Sequence, residues 1–326
     1  MFCCIFVTVL RSMVAKDNND GGVSSISNDV ESRISKLLQR PQMEFLLRFH
    51  ALFFGIAMIV LLPCLFSLLS PKSNQDITEA CNSMGNRVSF LVLGWNAAYV
   101  MFTSNDFPDL FHQWKFSCIL SALMVIPDFF LADVLGALHF PDDGAVKIGG
   151  VVSWYMSAMW TIPFVLILAT TLNWNEERKK ECIATRRRGS VVSSPALDNK
   201  QSSELLVASY VALVIFGLAE YLLFPLNLWH ATDLVYFKIG PAAIYVLPAE
   251  ALLGSALVYG YQQVTKKSSI PTLLMVCWVI MLLYTGALAV SFLVIEQRLA
   301  KLQSDTSSSL WLFCAGANRD QILSTK

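Results

Sequence analysis

TLLMVCWVIMLLYTGALAVSFLVI, residues Thr272 to Ile295, decides the fold class. These 24 residues carry no charge, and at about 1.5 Å per residue a helix of that length crosses the roughly 30 Å hydrocarbon core of a bilayer. Working back from it, comparable apolar runs occupy Phe45 to Leu69, Phe116 to Leu138, Ile148 to Leu172, Leu205 to Leu228 and Phe237 to Tyr261. A shorter run, Val88 to Phe102, fits a further helix. The expected fold is an all-α membrane protein with about seven transmembrane helices in one bundle, residues 44–296, between a disordered tail (1–43) and a polar C-terminal tail (297–326). A chain that is 55% hydrophobic and 15% charged agrees with this. Lys plus Arg equals Asp plus Glu, so net charge favours neither a nucleic acid nor an acidic partner.

Met1 to Leu10 is apolar but too short to cross, and no basic segment precedes it as a signal peptide requires. It is expected to be an unstructured start, with Met13 and Met43 as alternative initiators. Lys and Arg fix the expected orientation. With seven helices, the tail and the second, fourth and sixth loops share one side, which holds Arg33, Lys36, Arg40, Lys115, Lys266, Lys267 and the dense segment Arg178 to Lys200. The positive-inside rule places that side in the cytosol or plastid stroma and the C-terminus opposite.

The extended polar connection at 173–203 contains Arg186-Arg187-Arg188-Gly189-Ser190. Three arginines ahead of Ser190 suit a basophilic kinase, and phosphate there would offset the local charge. The plainer reading is a solvated loop whose basic residues fix topology and touch anionic lipid. None of the eight Cys forms a CxxC pair or has a His at ligand spacing, which argues against a zinc site. Cys81 and Cys314 both fall on the side opposite the basic loops, where an oxidising compartment would permit a bridge that spacing alone does not establish.

Three carboxylates interrupt apolar spans: Asp128, Glu220 and Glu250. Such groups cost several kcal/mol in lipid unless they face the bundle interior, so each is a candidate functional residue. By helical rise, Asp128 and Glu250 are expected near mid-bilayer and Glu220 nearer one face. No Lys or Arg sits at matching depth, and desolvation without a cation favours the neutral, proton-donating form of a carboxylic acid. The alternative is that the acids hydrogen-bond to one another or to backbone and merely join helices. Pro248, two residues before Glu250, is expected to kink the sixth helix beside the acid. Trp95, Tyr99, Trp154, Trp160, Trp229 and Tyr245 are candidate cavity walls, whose π faces would stabilise a carbocation without capturing it; an interfacial aromatic belt is the ordinary alternative. Asp133, Asp142, Asp143 and Asp233 are expected at the interface, outside any catalytic role.

Ile126-Pro127-Asp128-Phe129-Phe130-Leu131, followed by Ile148-Gly149 and Pro163, parallels Leu218-Ala219-Glu220-Tyr221-Leu222-Leu223, followed by Ile239-Gly240 and Pro248. Helices three and four therefore read as a parallel repeat of five and six. On these residues the chain resembles the lycopene cyclase domain family, in which an acid-bearing helix, a loop with Gly, Trp and Pro, and a helix opening with Pro-x-Glu-Glu recur twice. Phe224-Pro225-Leu226-Asn227-Leu228-Trp229 and Leu247-Pro248-Ala249-Glu250 carry the likeness. Ala251 replaces the second Glu, and the first copy has only Thr161-Ile162-Pro163-Phe164. Gly94-Trp95-Asn96-Ala97-Ala98-Tyr99 is similar to a stretch of the seven-helix terpene cyclases of meroterpenoid pathways. The resemblance implies a metal-independent cyclase or isomerase of an isoprenoid ligand, without cofactor, with Glu250 giving a proton and Asp128 or Glu220 accepting one. A non-enzymatic receptor-like protein, or a lipid or proton carrier using the same acids, is the rival. A retinal photoreceptor is disfavoured, because the seventh helix has no Lys for a Schiff base.

Overall fold

A computed structural model describes residues 39–69, 74–187, 197–265 and 269–299. Seven long helices run α1 (Pro41–Leu69), α2 (Asn74–Thr103), α3 (Pro108–Leu123), α6 (Thr161–Arg187), α7 (Leu197–Leu223), α8 (Val246–Thr265) and α9 (Ile270–Phe292). Short α4 (Val125–Phe129) and α5 (Met156–Met159) complete the set, and π turns at Phe130–Val134 and Leu293–Leu299 extend α4 and α9. Five helical stretches are long and apolar enough to cross a membrane: Pro41–Cys64, Pro108–Val134, Met156–Glu176, Ser203–Leu226 and Ile270–Arg298. The chain is thus an all-α membrane protein. α2, whose apolar run is short, and α8, which carries Glu250, do not reach that apolarity on their own.

α3, α6, α7, α8 and α9 pack in a closed ring, each against the next and α9 against α3, and α1 pairs with α2 beside it. Phe164, Leu168, Leu253, Leu257 and Leu288 are fully buried within this ring.

The helix starts correct two expected boundaries. Residues 148–155 and 237–245 do not begin helices four and six. They form hairpins, β2 (Lys147–Ile148) with β3 (Val152–Ser153), and β5 (Lys238–Ile239) with β6 (Ala242–Ala243), turning at Gly149 and Gly240 with φ of +59° and +60°. Left-handed backbone of this kind ends a helix whatever the hydropathy around it. Between the hairpins, β1 (Leu138–His139) pairs antiparallel with β4 (His230–Ala231) and ties the two loop regions together.

The polar connection is corrected as well. α6 continues through Asn173 to Arg187, because Glu, Arg, Lys and Ala favour helix and no Gly or Pro interrupts them. Ser190 and Cys314 lie outside the described residues, as does the side chain of Cys81. At the other end, Pro41, Gln42 and Met43 belong to α1, with Met43 buried in the core.

Asp143, expected at the interface, is instead a buried hub. Its carboxylate accepts from Tyr155 Oη at 2.7 Å, Ser153 Oγ at 3.3 Å and the Ala145 amide at 3.0 Å, with Lys147 Nζ at 3.8 Å. Burial, and then the hydrogen bond to Asp143, raises the Tyr155 phenol above its ordinary range. Burial lowers Lys147, with Asp143 and Asp142 acting the other way. Asp143→Ala would leave the buried Tyr155 phenol without its acceptor and Lys147 without its counter-charge, though Lys147 keeps its bonds to the Phe140 and Pro141 carbonyls and Ser153, so a loss of about 2 kcal/mol is expected in thermal unfolding of the solubilised protein. An unchanged melting temperature would contradict this role.

Candidate functional site

The loops and the ring of helices enclose an open cavity of about 770 Å³. Its walls are mainly apolar, from α1, α6, α7 and α8, and Asp128, Glu220 and Glu250 all line it. The structure brings the three acids together, but at a different depth from the one expected for two of them. Glu250 lies four residues into α8, Glu220 three residues before the end of α7, and Asp128 six before the end of its π turn. All three therefore sit within about 10 Å of the loop end of the bundle. For Glu250 the difference arises because α8 starts at Val246, nine residues later than its apolar run, and for Asp128 because its helical stretch runs from Pro108 to Val134.

Each acid is held differently. Met124 separates α3 from α4, and Pro127, without an N–H, occupies the first turn of α4, where no intrahelical bond is lost. The next residue, Asp128, is buried and accepts from Trp160 Nε1 at 3.0 Å. Glu220 accepts from Trp229 Nε1 at 3.1 Å. Glu250 is 4% exposed and accepts no hydrogen bond from a described residue. None of the three is in an ion pair among the described residues. Lys238 also lines the cavity, but its Nζ donates to the carbonyls of Ala231 and Thr232.

Trp95, Trp160, Trp229 and Tyr245 line the cavity as expected. Trp160 packs against Phe216 at 5.3 Å and Tyr284 at 6.0 Å between ring centroids. Tyr99 and Trp154 are not in the wall. Tyr99 is fully buried in an aromatic stack with Trp95 and Phe49, and Trp154 packs in a second core beside the β2–β3 hairpin. Pro248 is also outside the wall and causes no kink. It is the third residue of α8, where its missing N–H would have had no intrahelical acceptor.

Sequence reasoning missed Tyr284 and His50. Tyr284 is buried in α9, lines the cavity, and lies within electrostatic range of Glu250, Asp128, Tyr245 and Glu220. His50 lines the α1 wall, with Nδ1 at 2.7 Å from the Leu46 carbonyl. A polar side chain inside an otherwise apolar run was the signal available for Tyr284; for His50 the nearby Arg48 obscured it.

Against known proteins, a family described as "Domain of unknown function (DUF6989)" matches residues 125–295, just over half of the chain and all three acids. No curated protein and no solved structure matches.

Proposed function

We propose that this chain, which belongs to the DUF6989 family, is a seven-span membrane cyclase or isomerase that acts on an isoprenoid by acid-initiated carbocation chemistry. The observation that carries this reading is the gathering of three carboxyl groups, none ion-paired among the described residues, around one largely apolar cavity. Glu250 gives its proton to one carbon of an alkene (or to an epoxide oxygen), leaving a cation on the neighbouring carbon. A ring-closing or double-bond shift follows. Asp128 or Glu220 then takes a proton from the carbon beside the final cation, so the product has the substrate's mass. Trp160, Trp229, Tyr245 and Tyr284 offer π faces to the cation. The step uses no metal.

Matched features 91 residues apart support the repeat: His139 with His230, Lys147 with Lys238, and Gly149 with Gly240. Both lysines donate to loop carbonyls, of Phe140 and Pro141 in one copy and of Ala231 and Thr232 in the other, again at that offset. Contacts at the opposite end of the bundle support the topology. Arg40 Nη1 bonds Asn173 Oδ1 at 3.0 Å and Glu176 Oε2 at 2.7 Å, while Gln262 Nε2 bonds Glu204 at 3.4 Å. These contacts bring Arg40, the Asn173–Glu176 turn of α6 and the ends of α7 and α8 to one end of the bundle, which supports the reading that this end, rich in Lys and Arg, faces the cytosol or stroma.

The test is lipid-extract analysis after expressing the full chain in cells that accumulate acyclic polyenes or polyprenyl compounds. A new compound of unchanged mass and altered retention is expected. A carrier built on the same acids would leave every compound's retention unchanged, and that outcome would sink the cyclase reading.

A further inference from the structure

The chain has four histidines, and two of them meet although they stand 91 residues apart. The β1–β4 ladder sets His139 directly opposite His230. Both side chains are exposed, with ring centroids 5.0 Å apart and planes inclined by 55°. That inclination is not a stack, and neither imidazole makes a hydrogen bond with a described residue. Their ring nitrogens therefore have no protein partner there to displace.

The spacing suits a chelate. A cation about 2.0–2.1 Å from one nitrogen of each ring, at a tetrahedral angle, puts the two ring centroids roughly 5 Å apart. Antiparallel pairing fixes the two backbones, so only side-chain rotation is needed. Asp233 favours a cation near His230 and Lys238 opposes one. The Lys238 ammonium is drawn aside to the Ala231 and Thr232 carbonyls.

We propose that His139 and His230 form a two-histidine site for one divalent transition-metal cation of the copper, nickel or zinc class, with water completing its coordination. Bound there, the cation braces the two loop regions at the cavity wall, which Leu138, His230 and Ala231 all line. The site shares the cavity wall with the three acids but uses none of them, and it does not depend on any isoprenoid chemistry.

The experiment is calorimetric titration of the full chain, purified without a histidine tag in detergent micelles, with copper, nickel and zinc chlorides. One equivalent should bind with Kd on the order of micromolar, copper tightest, as imidazole ligation dictates. His139→Asn and His230→Asn should each weaken binding at least about tenfold, whereas His112→Asn on the exposed face of α3 should not. Lowering the pH to about 5 should release the cation, because protons compete for both imidazoles. Absence of saturable binding, or unchanged affinity in either variant, overturns the proposal. Copper EPR of the wild-type protein is a check independent of variant folding: hyperfine coupling to two imidazole nitrogens supports the site, and coupling to none or one overturns it.

Discussion

Glu250→Gln is expected to lower product formation by about 100-fold or more while leaving the melting temperature of the solubilised protein unchanged, since an amide keeps the shape and removes the transferable proton. Of the three cavity acids, Glu250 alone has no hydrogen bond to a described residue; indole N–H groups of Trp160 and Trp229 already occupy Asp128 and Glu220. Under the proposed chemistry, the carboxyl group that no indole of a described residue engages is the one left to turn toward a ligand, which assigns the donor role to Glu250. Equal turnover by Glu250→Gln and the wild-type chain, measured as product per protein in lipid extracts, would remove Glu250 from the proton-donor role.

Gly254→Val should destabilise the bundle by about 3 kcal/mol, the upper range for overpacking, because the extra carbon meets backbone. A Cβ at Gly254 would lie 2.6 Å from the Ala208 carbonyl oxygen and overlap the Ala212 Cβ. Neither atom belongs to a flexible side chain, so α7 and α8 would have to separate. These helices carry Glu220 and Glu250, and the strain would reach the cavity as well as the fold. Thermal unfolding followed by tryptophan fluorescence measures the first effect, and a melting temperature equal to the wild-type value would show that the helices do not cross as closely as described.

The site was legible as chemistry more than as geometry. Asp128, Glu220 and Glu250 stood out because each interrupts an apolar run, and the cost of a carboxyl group in lipid makes such an interruption informative wherever the helix begins. The position of Glu250 was misjudged because Phe237 to Tyr245 is as apolar as a helix while folding as a hairpin, and that of Asp128 because its helical stretch starts at Pro108 and ends at Val134. Hydropathy reports whether a segment avoids water; it does not report a left-handed turn at Gly149 or Gly240. The same shift cancelled the kink expected at Pro248. A proline nine residues later in its helix would break a hydrogen bond, but as the third residue of α8 it breaks none.

The sequence alone therefore determined a helical membrane protein, five of its apolar spans and the three acids, because these depend on the cost of placing individual groups in hydrocarbon. Only the tertiary structure decided which residues share a wall or a ladder. Tyr284 enters the cavity through the packing of α9, Tyr99 and Trp154 leave it for aromatic cores, Asp143 becomes a buried hub, and His139 meets His230 through a pairing that spans 91 residues. Such proximities follow from how helices cross and loops close, which no single segment's composition encodes.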